Sequence, residues 1–217
     1  MMTKRDIQIF KFINIFGKTY NEVLEKTFFS NIKSARNRIT ILKKQGFVNF
    51  WQTGLLSPRN AIVLSAEIKE FLHDEFDIKP KNVKLHNSTI YHNIIEQISF
   101  YHLSKLQTIS KIERATIYKH SKIYHHIPDI ILHLQNHKIF IEIETSKKNP
   151  KRYIEIFEQC QKDNILQIIY VVKSQKILEN YSQSFPKFEK LFFITIDDLI
   201  KNITNDKMLN AKKQSDI

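Results

Sequence analysis

The chain has 217 residues, 42% of them hydrophobic, which is enough to bury one good core or two small ones without crosslinks. Its single cysteine, Cys160, excludes an intramolecular disulfide and a multi-cysteine metal site, which indicates a reducing, cytoplasmic compartment. The net charge of +12 favours a polyanionic partner such as nucleic acid, although a low-GC genome enriches lysine in many proteins. Apolar runs such as 165–172 are too short to span a bilayer and no signal-peptide pattern opens the chain, so we expect no membrane association.

Apolar residues recur at helical spacing near the N-terminus and predict a helix from Thr3 to about Phe16. Thr3 is placed as its N-cap, with Asp6 three positions later, and Gly17 ends it. The same patterns predict two further helices over 19–27 and 30–45 and a hairpin with strands over 47–51 and 61–64. Three helices and a hairpin are typical of a winged helix-turn-helix domain, which we place over residues 1–80.

The third predicted helix carries an outward set of basic and polar side chains suited to phosphates and to base edges in a DNA major groove. Its members are Lys33, Ser34, Arg36, Asn37, Arg38, Lys43 and Lys44, and Arg59 follows in the hairpin turn. The alternative is the solvated face of an ordinary helix. Position within a helix-turn-helix pattern favours contact with double-stranded DNA.

A helix over 67–76 leads away from the hairpin, and residues 77–81 are the best linker candidate in the chain. Beyond it we predict helix 88–106, strands 109–118, 129–134 and 138–145, helix 150–163, strand 166–172, helix 174–181, strand 191–195 and helix 196–203. This order predicts an α/β domain around a mixed central sheet over residues 81–204. The polar tail, 205–217, is predicted to be disordered.

Three carboxylates define the candidate site. In the strand over 138–145, the alternation of side chains places Glu142 and Glu144 on one face, beside Phe140. Asp129 opens the hairpin partner at the end where the second strand closes, so the three carboxylates can converge at one edge of the sheet. Because neighbouring carboxylates repel one another, such a cluster stays ionised at low energetic cost only around a cation. Hard oxygen ligands favour Mg²⁺ or Mn²⁺.

A divalent cation at this position would polarise a phosphodiester and activate a bound water, which predicts a metal-dependent nuclease. Lys147, just after the strand, is expected to orient the water or to neutralise developing charge. Lys151, Arg152 and Tyr153 open the next helix and are accessory candidates.

These residues also resemble a known nuclease core. Pro128-Asp129, followed by Glu142-x-Glu144, resembles the PD-(D/E)xK motif, with Glu144 in place of the usual lysine. The resemblance implies a restriction-endonuclease-like fold around the predicted mixed sheet. The departure at Glu144 puts the usual role of the motif's lysine in question.

The longer string, which adds His125 and Lys147, is similar to MobC-type conjugative relaxases. Those proteins join a winged helix to a restriction-endonuclease-like fold and nick plasmid transfer origins. Glu113-Arg114 resembles a pair that precedes the motif in the related replication-relaxation proteins. The resemblance covers residues 5–65 by architecture and 113–153 by motif, and it implies site roles for Glu113 and for His125 or His126.

Other polar residues have competing interpretations. Glu96 is either an extra acidic ligand or a solvated helix residue, and His133 shares a face with Asp129. The histidines between 120 and 137 lack a cysteine partner and zinc-ligand spacing, so zinc is not predicted. Tyr153 suggests a covalent phosphotyrosine, but packing or DNA contact is the favoured interpretation because a metal-activated water suffices as nucleophile.

The sequence therefore predicts a DNA-processing protein of a plasmid or mobile element. Its winged helix would recognise an origin, and its α/β domain would nick one strand with Mg²⁺ or Mn²⁺, alongside other mobilisation proteins. One alternative is a transcriptional regulator with an inactive nuclease-like domain, and a replication-control protein is another. Three converging acids followed by Lys147 favour the enzyme.

Overall fold

The computed structural model describes residues 2–81, 89–118, 121, 123–135, 137–146, 149–163, 165–182 and 190–204. The chain divides into two compact units, Met1–Ile98 and Ser99–Ile217, and the division falls within helix α5 (Ile90–Leu103). The domain boundary expected near residue 80 precedes residues 82–88, which lie outside the described part, and it stays a prediction. The tail expected to be disordered, 205–217, also lies outside the described residues.

The first unit contains the helices and the hairpin that the sequence predicts. Their bounds are α1 (Lys4–Phe16), α2 (Asn21–Thr27), α3 (Ile32–Lys44), β1 (Val48–Gln52), β2 (Asn60–Leu64) and α4 (Ala66–Phe76). Strands β1 and β2 pair antiparallel, with Val48 opposite Leu64. Each of these elements is confirmed, with ends within two residues of those expected.

Helix α1 begins and ends as its sequence predicts. The Asp6 amide donates to the Thr3 hydroxyl at 3.3 Å, and the Thr3 amide donates to the Asp6 carboxylate at 2.6 Å. This reciprocal capping satisfies two amides that the first helical turn leaves without partners. Gly17 ends the helix in a left-handed conformation, with a φ of 76°. Glycine adopts this conformation with little strain because it has no Cβ.

The first unit has its own hydrophobic core, in which α1, α3 and the hairpin meet. It consists of Ile9, Phe10, Ile13, Leu24, Ala35, Ile39, Leu42, Val48, Ile62, Leu64, Ile68 and Leu72. Full burial of a large aliphatic or aromatic side chain contributes about 1.5–3 kcal/mol, so this cluster holds α3 with its apolar face inward. The polar side chains of α3 are thereby directed outward.

The second unit is built on a five-stranded sheet in the order β3-β4-β5-β6-β7. Its elements are β3 (Lys111–Arg114), β4 (Ile130–His133), β5 (Lys138–Glu144), α6 (Pro150–Lys162), β6 (Gln167–Val172), α7 (Gln175–Ser182), β7 (Leu191–Thr195) and α8 (Ile196–Thr204). Strands β3, β4 and β5 pair antiparallel, whereas β5, β6 and β7 pair parallel. The predicted α/β class and mixed sheet are confirmed, and β5 is the central strand.

One predicted strand is too long. The pattern over 109–118 indicated a continuous strand, but β3 ends at Arg114 and a 3-10 turn follows over Ala115–Tyr118. The partner strand β4 begins only at Ile130, so β3 has no ladder beyond the bond from the Ala115 amide to the Asp129 carbonyl, 3.1 Å. The turn brings the Tyr118 hydroxyl back to Glu113 at 3.1 Å.

Helix α6 covers the sheet face that carries the predicted site. Its residues Tyr153, Ile156 and Cys160 belong to one buried cluster with Phe140 of β5 and Tyr170 of β6. Phe140 shares its face with Glu142 and Glu144, because side chains on a strand alternate. The two glutamates therefore lie under a helix and not on an open surface.

Within the described residues, no helix has the length and apolarity needed to cross a membrane.

Candidate functional site

Two glutamates of the central strand are buried side by side. Glu142 is 6% exposed and Glu144 is 3% exposed. Both lie in strand β5, so the prediction that their side chains share one face of a strand is confirmed. Removing a carboxylate from water disfavours its charged form, so such a pair requires polar partners within the protein.

Asp129 is joined to the same strand. Its amide donates to the Ile141 carbonyl at 3.1 Å, and its Oδ2 accepts a hydrogen bond from the Ile143 amide at 2.7 Å. Ile143 stands between Glu142 and Glu144 in the chain, so the Asp129 carboxylate contacts β5 between the two glutamates. Because β4 begins only at Ile130, the side chain replaces the neighbouring strand as acceptor at this point.

Each glutamate has a protein partner. The His126 Nε2 lies 2.5 Å from the Glu142 Oε1, and their side chains are 11% and 8% exposed. The Tyr153 hydroxyl donates to the Glu144 Oε2 at 3.1 Å, and the tyrosine is fully buried. Tyr153 therefore packs and orients a carboxylate, and its buried hydroxyl, bonded to Glu144, is poorly placed to attack DNA.

Asp163, which the sequence did not single out, fixes the histidine segment. This residue follows α6, and its side chain is 3% exposed. Its carboxylate accepts from the His125 amide at 3.0 Å, from the His126 amide at 3.3 Å and approaches the His125 Nδ1 at 2.7 Å. His125 is itself exposed, and of the two histidines that the resemblance left open, His126 is the one that contacts Glu142. The sequence offers no signal for a contact across 37 residues.

The negative charge of this site acts on its surroundings. Burial raises the pKa of the Tyr170 hydroxyl, and the nearby Glu142 carboxylate raises it further. Burial likewise raises the pKa of the Cys160 thiol, with added contributions from Glu142 and Asp163. Both groups stay protonated at neutral pH, so Cys160 is not a thiolate nucleophile.

Glu113 and His133 form a separate polar cluster on β3 and β4. The His133 Nε2 lies 2.7 Å from a Glu113 oxygen, the Lys111 Nζ lies 2.6 Å from the other, and the Tyr118 hydroxyl reaches both oxygens at 3.1 Å. Burial raises the pKa of Glu113, but the bonds from Lys111, Tyr118 and His133 outweigh it and lower the pKa. Glu113 is thus held as a charged acceptor, with His133 as its partner.

The remaining candidates differ in how far they are described. Lys147 lies outside the described residues, so its predicted role stays a prediction. Lys151 and Arg152 are exposed in the first turn of α6, and Arg152 pairs with Glu155 at 3.1 Å. Glu96 is 2% exposed on α5, so the interpretation of it as a solvated helix residue is wrong.

The three carboxylates suit a hard cation by ligand type, since Mg²⁺ and Mn²⁺ prefer oxygen. Among the described residues, however, no three His, Cys, Asp or Glu side chains are grouped closely enough to hold a metal ion. In the described arrangement, Asp129, Glu142 and Glu144 are bonded to the Ile143 amide, His126 and Tyr153 instead. A cation would have to rearrange at least one of these contacts.

The basic face of α3 is largely as predicted. The exposed members are Lys33, Ser34, Arg36, Asn37, Lys43 and Lys44, and Arg59 is exposed after the hairpin turn. The Lys43 ammonium lies 4.5 Å from the centroid of the Phe50 ring, a cation–π contact between α3 and β1.

Arg38 differs from the rest of that face. Its guanidinium bonds to both oxygens of Asp6, a fully buried carboxylate at the start of α1. Burial raises the pKa of the Asp6 carboxyl, but the bonds from Arg38 and Thr3 outweigh it and lower the pKa. Arg38 therefore has a structural contact that the sequence pattern did not reveal, and its contact with DNA stays a prediction.

Comparison of the chain with models of protein families, with curated proteins and with solved structures finds no match. A function is therefore inferred from the chain's own residues.

Proposed function

We propose that this chain is a divalent-metal-dependent DNA endonuclease of a plasmid or mobile element, which nicks origin DNA. The observation that supports it is the pair of buried glutamates on the central strand, with the Asp129 carboxylate bonded to the amide of Ile143, the residue between them in the chain. Burial removes a carboxylate from water at a cost in free energy, so two carboxylates on one covered strand face favour a functional role. A purely structural strand would gain more from apolar side chains at the same two positions.

The residues around the carboxylates supply orientation. Tyr153 contacts Glu144 and His126 contacts Glu142, which would position both carboxylates until a metal ion binds and rearranges at least one of these contacts. Mg²⁺ or Mn²⁺ bound by Asp129, Glu142 and Glu144 would polarise the scissile phosphate and lower the pKa of a bound water. The exposed Lys151 and Arg152 at the start of α6 would attract the DNA backbone.

In the same proposal, the first unit is a winged helix that recognises double-stranded DNA. Its α3 presents exposed basic and polar side chains, and Arg59 extends this surface from the hairpin turn. Basic side chains would bind phosphates, whereas Ser34 and Asn37 would reach base edges in the major groove.

A nicking assay tests the enzyme. Supercoiled plasmid carrying the element's own origin is incubated with the protein and Mg²⁺ or Mn²⁺, and relaxed circles are counted by gel electrophoresis. We expect relaxed circles from the wild type and from Glu158→Ala, an exposed control on α6, but not from Asp129→Ala or Glu144→Ala. If the wild type relaxes no more plasmid than the Asp129→Ala and Glu144→Ala variants, the nuclease proposal is wrong.

A second candidate is a DNA-binding regulator whose nuclease-like domain is inactive. It is favoured by the spacing of the acidic residues, because among the described residues no three of them are close enough to hold a metal ion. A regulator would bind duplex DNA in a gel-shift assay with an unchanged affinity when Glu144 is replaced by alanine, and it would relax no plasmid. The two assays together therefore separate the candidates.

A further inference from the structure

A cavity of about 240 Å³ opens in the first unit, where α2, α3 and the β1–β2 loop approach one another. Its polar lining includes Asn21, Glu22, Arg36 and Arg59. Sites for drug-sized ligands measure about 300–1,000 Å³, so this cavity suits a single small ring system.

Two acceptors in the cavity wall lack a donor. The Asn21 Oδ1 and the Glu22 Oε2 are buried, and neither has a hydrogen-bond partner among the described residues. The other Glu22 oxygen accepts from the Ser57 hydroxyl at 3.3 Å, which holds the carboxylate against the loop. Buried acceptors in folded proteins are nearly always satisfied, so these two atoms indicate that a donor is supplied by solvent or by a bound ligand.

Two arginines supply hydrogen-bond donors and positive charge in the same cavity. Arg36 and Arg59 are exposed, and their guanidinium groups form no ion pair within the described part of the chain. A simple anion would be attracted by them but would meet the Glu22 carboxylate, and a simple cation would meet the arginines. The complementary ligand is therefore a neutral group that donates on one side and accepts on the other.

The loop that forms the cavity wall is internally bonded. The Thr53 hydroxyl lies within hydrogen-bonding distance of the Pro58 and Arg59 carbonyls, and it accepts from the Leu55 amide at 3.1 Å. The Tyr91 hydroxyl donates to the Ser57 carbonyl at 2.9 Å. A wall fixed in this way loses little conformational freedom when a ligand binds.

We propose that this cavity binds a guanine base, from either an unpaired DNA nucleotide or a free nucleotide. Guanine carries neighbouring donors at N2, which suits the Glu22 Oε2, and at N1, which suits the Asn21 Oδ1, and it carries acceptors at O6 and N7, which arginine recognises. Leu56 and Pro58 offer apolar contact to the flat faces of the ring. The DNA source rests on the proposed DNA-binding function, whereas the free-nucleotide source does not.

The test uses the full chain and compares guanine with hypoxanthine, which lacks only the 2-amino donor. Binding of guanosine and inosine monophosphates is measured by calorimetry, and binding of duplexes with one bulged guanosine or inosine by fluorescence anisotropy. We expect guanine to bind about tenfold more tightly than hypoxanthine, since the latter leaves a buried acceptor without a donor. Glu22→Met, which removes the acceptor, should abolish that preference, while Glu25→Met, the same change one turn along α2, should keep it.

The outcomes separate the sources and the two proposals. A preference seen only with the bulged duplex supports an unpaired nucleotide, and one seen only with the monophosphates supports a free nucleotide. Equal binding of guanine and hypoxanthine by both probes overturns the inference, as does a preference that survives Glu22→Met. A fully paired duplex, which offers the cavity no free base, reports on the DNA-binding proposal separately.

Discussion

The basic face of α3, in the first unit, and the acidic face of β5, in the second, place their charges in opposite ways. In the first, cations such as Arg36 and Lys44 stand in water on the outer face of α3, and in the second, Glu142 and Glu144 are buried beneath α6. An exposed cation has little effect on the free energy of folding. It attracts a polyanion electrostatically, and this attraction weakens as the salt concentration rises. A buried carboxylate costs desolvation and is kept only where nearby groups support it.

The same contrast recurs within α3 itself. Arg36 is exposed, whereas Arg38, two residues further along, bonds to the buried Asp6 carboxylate. Removal of these two arginines is therefore expected to have different effects. Loss of Arg36 should weaken DNA binding, whereas loss of Arg38 should lower the stability of the fold.

The largest expected effect is on the buried acidic pair. Glu144→Gln keeps an acceptor for the Tyr153 hydroxyl but removes the charge, so nicking should fall by at least about a hundredfold. The free energy of unfolding should change by less than about 1 kcal/mol or rise, because a buried charge is costly. Plasmid relaxation and urea denaturation measure the two, with Glu158→Gln as the exposed control. Retained nicking together with marked destabilisation would make Glu144 a structural residue only.

Next in size is the difference between the two arginines of α3. Arg38→Met leaves the Asp6 carboxylate buried without its cation and should cost about 2–4 kcal/mol of stability, measured by urea denaturation. Arg36→Met should change stability by less than about 0.5 kcal/mol. Instead it should weaken duplex binding and lower the slope of log affinity against log salt by about 0.9, the contribution of one phosphate contact. Equal stability losses for the two variants would contradict the assignment of separate roles.

The smallest expected effect is a pH dependence in the first unit. The pKa of Asp6 is lowered in the folded state from its ordinary 3.8, so its contribution to stability is full above that value and is lost as the pH falls through the folded pKa. We therefore expect the wild type to lose stability more steeply than Asp6→Asn as the pH is lowered below about 4. Asp74→Asn, an exposed change on α4, should follow the wild type. Parallel pH curves for the wild type and Asp6→Asn would show that Asp6 does not carry this dependence.

Much of the local structure could be predicted from the sequence because its determinants are close in the chain. The capping of α1 depends on Thr3 and Asp6, three residues apart, and the shared face of Glu142 and Glu144 follows from the alternation of a strand. The 3-10 turn after β3 was missed, since a strand continues only while a partner is present, and the partner lies elsewhere in the sequence.

By itself, then, the sequence determined the order of the helices and strands, most of their ends, the charge pattern and the acidic pair, because periodicity and capping act over a few residues. Only the tertiary structure decided that Asp163 fixes the His126 segment against Glu142 and that Arg38 serves Asp6. These contacts join residues that are 37, 16 and 32 positions apart. No local pattern encodes such pairs, since they form only when packing brings separate elements within hydrogen-bonding distance.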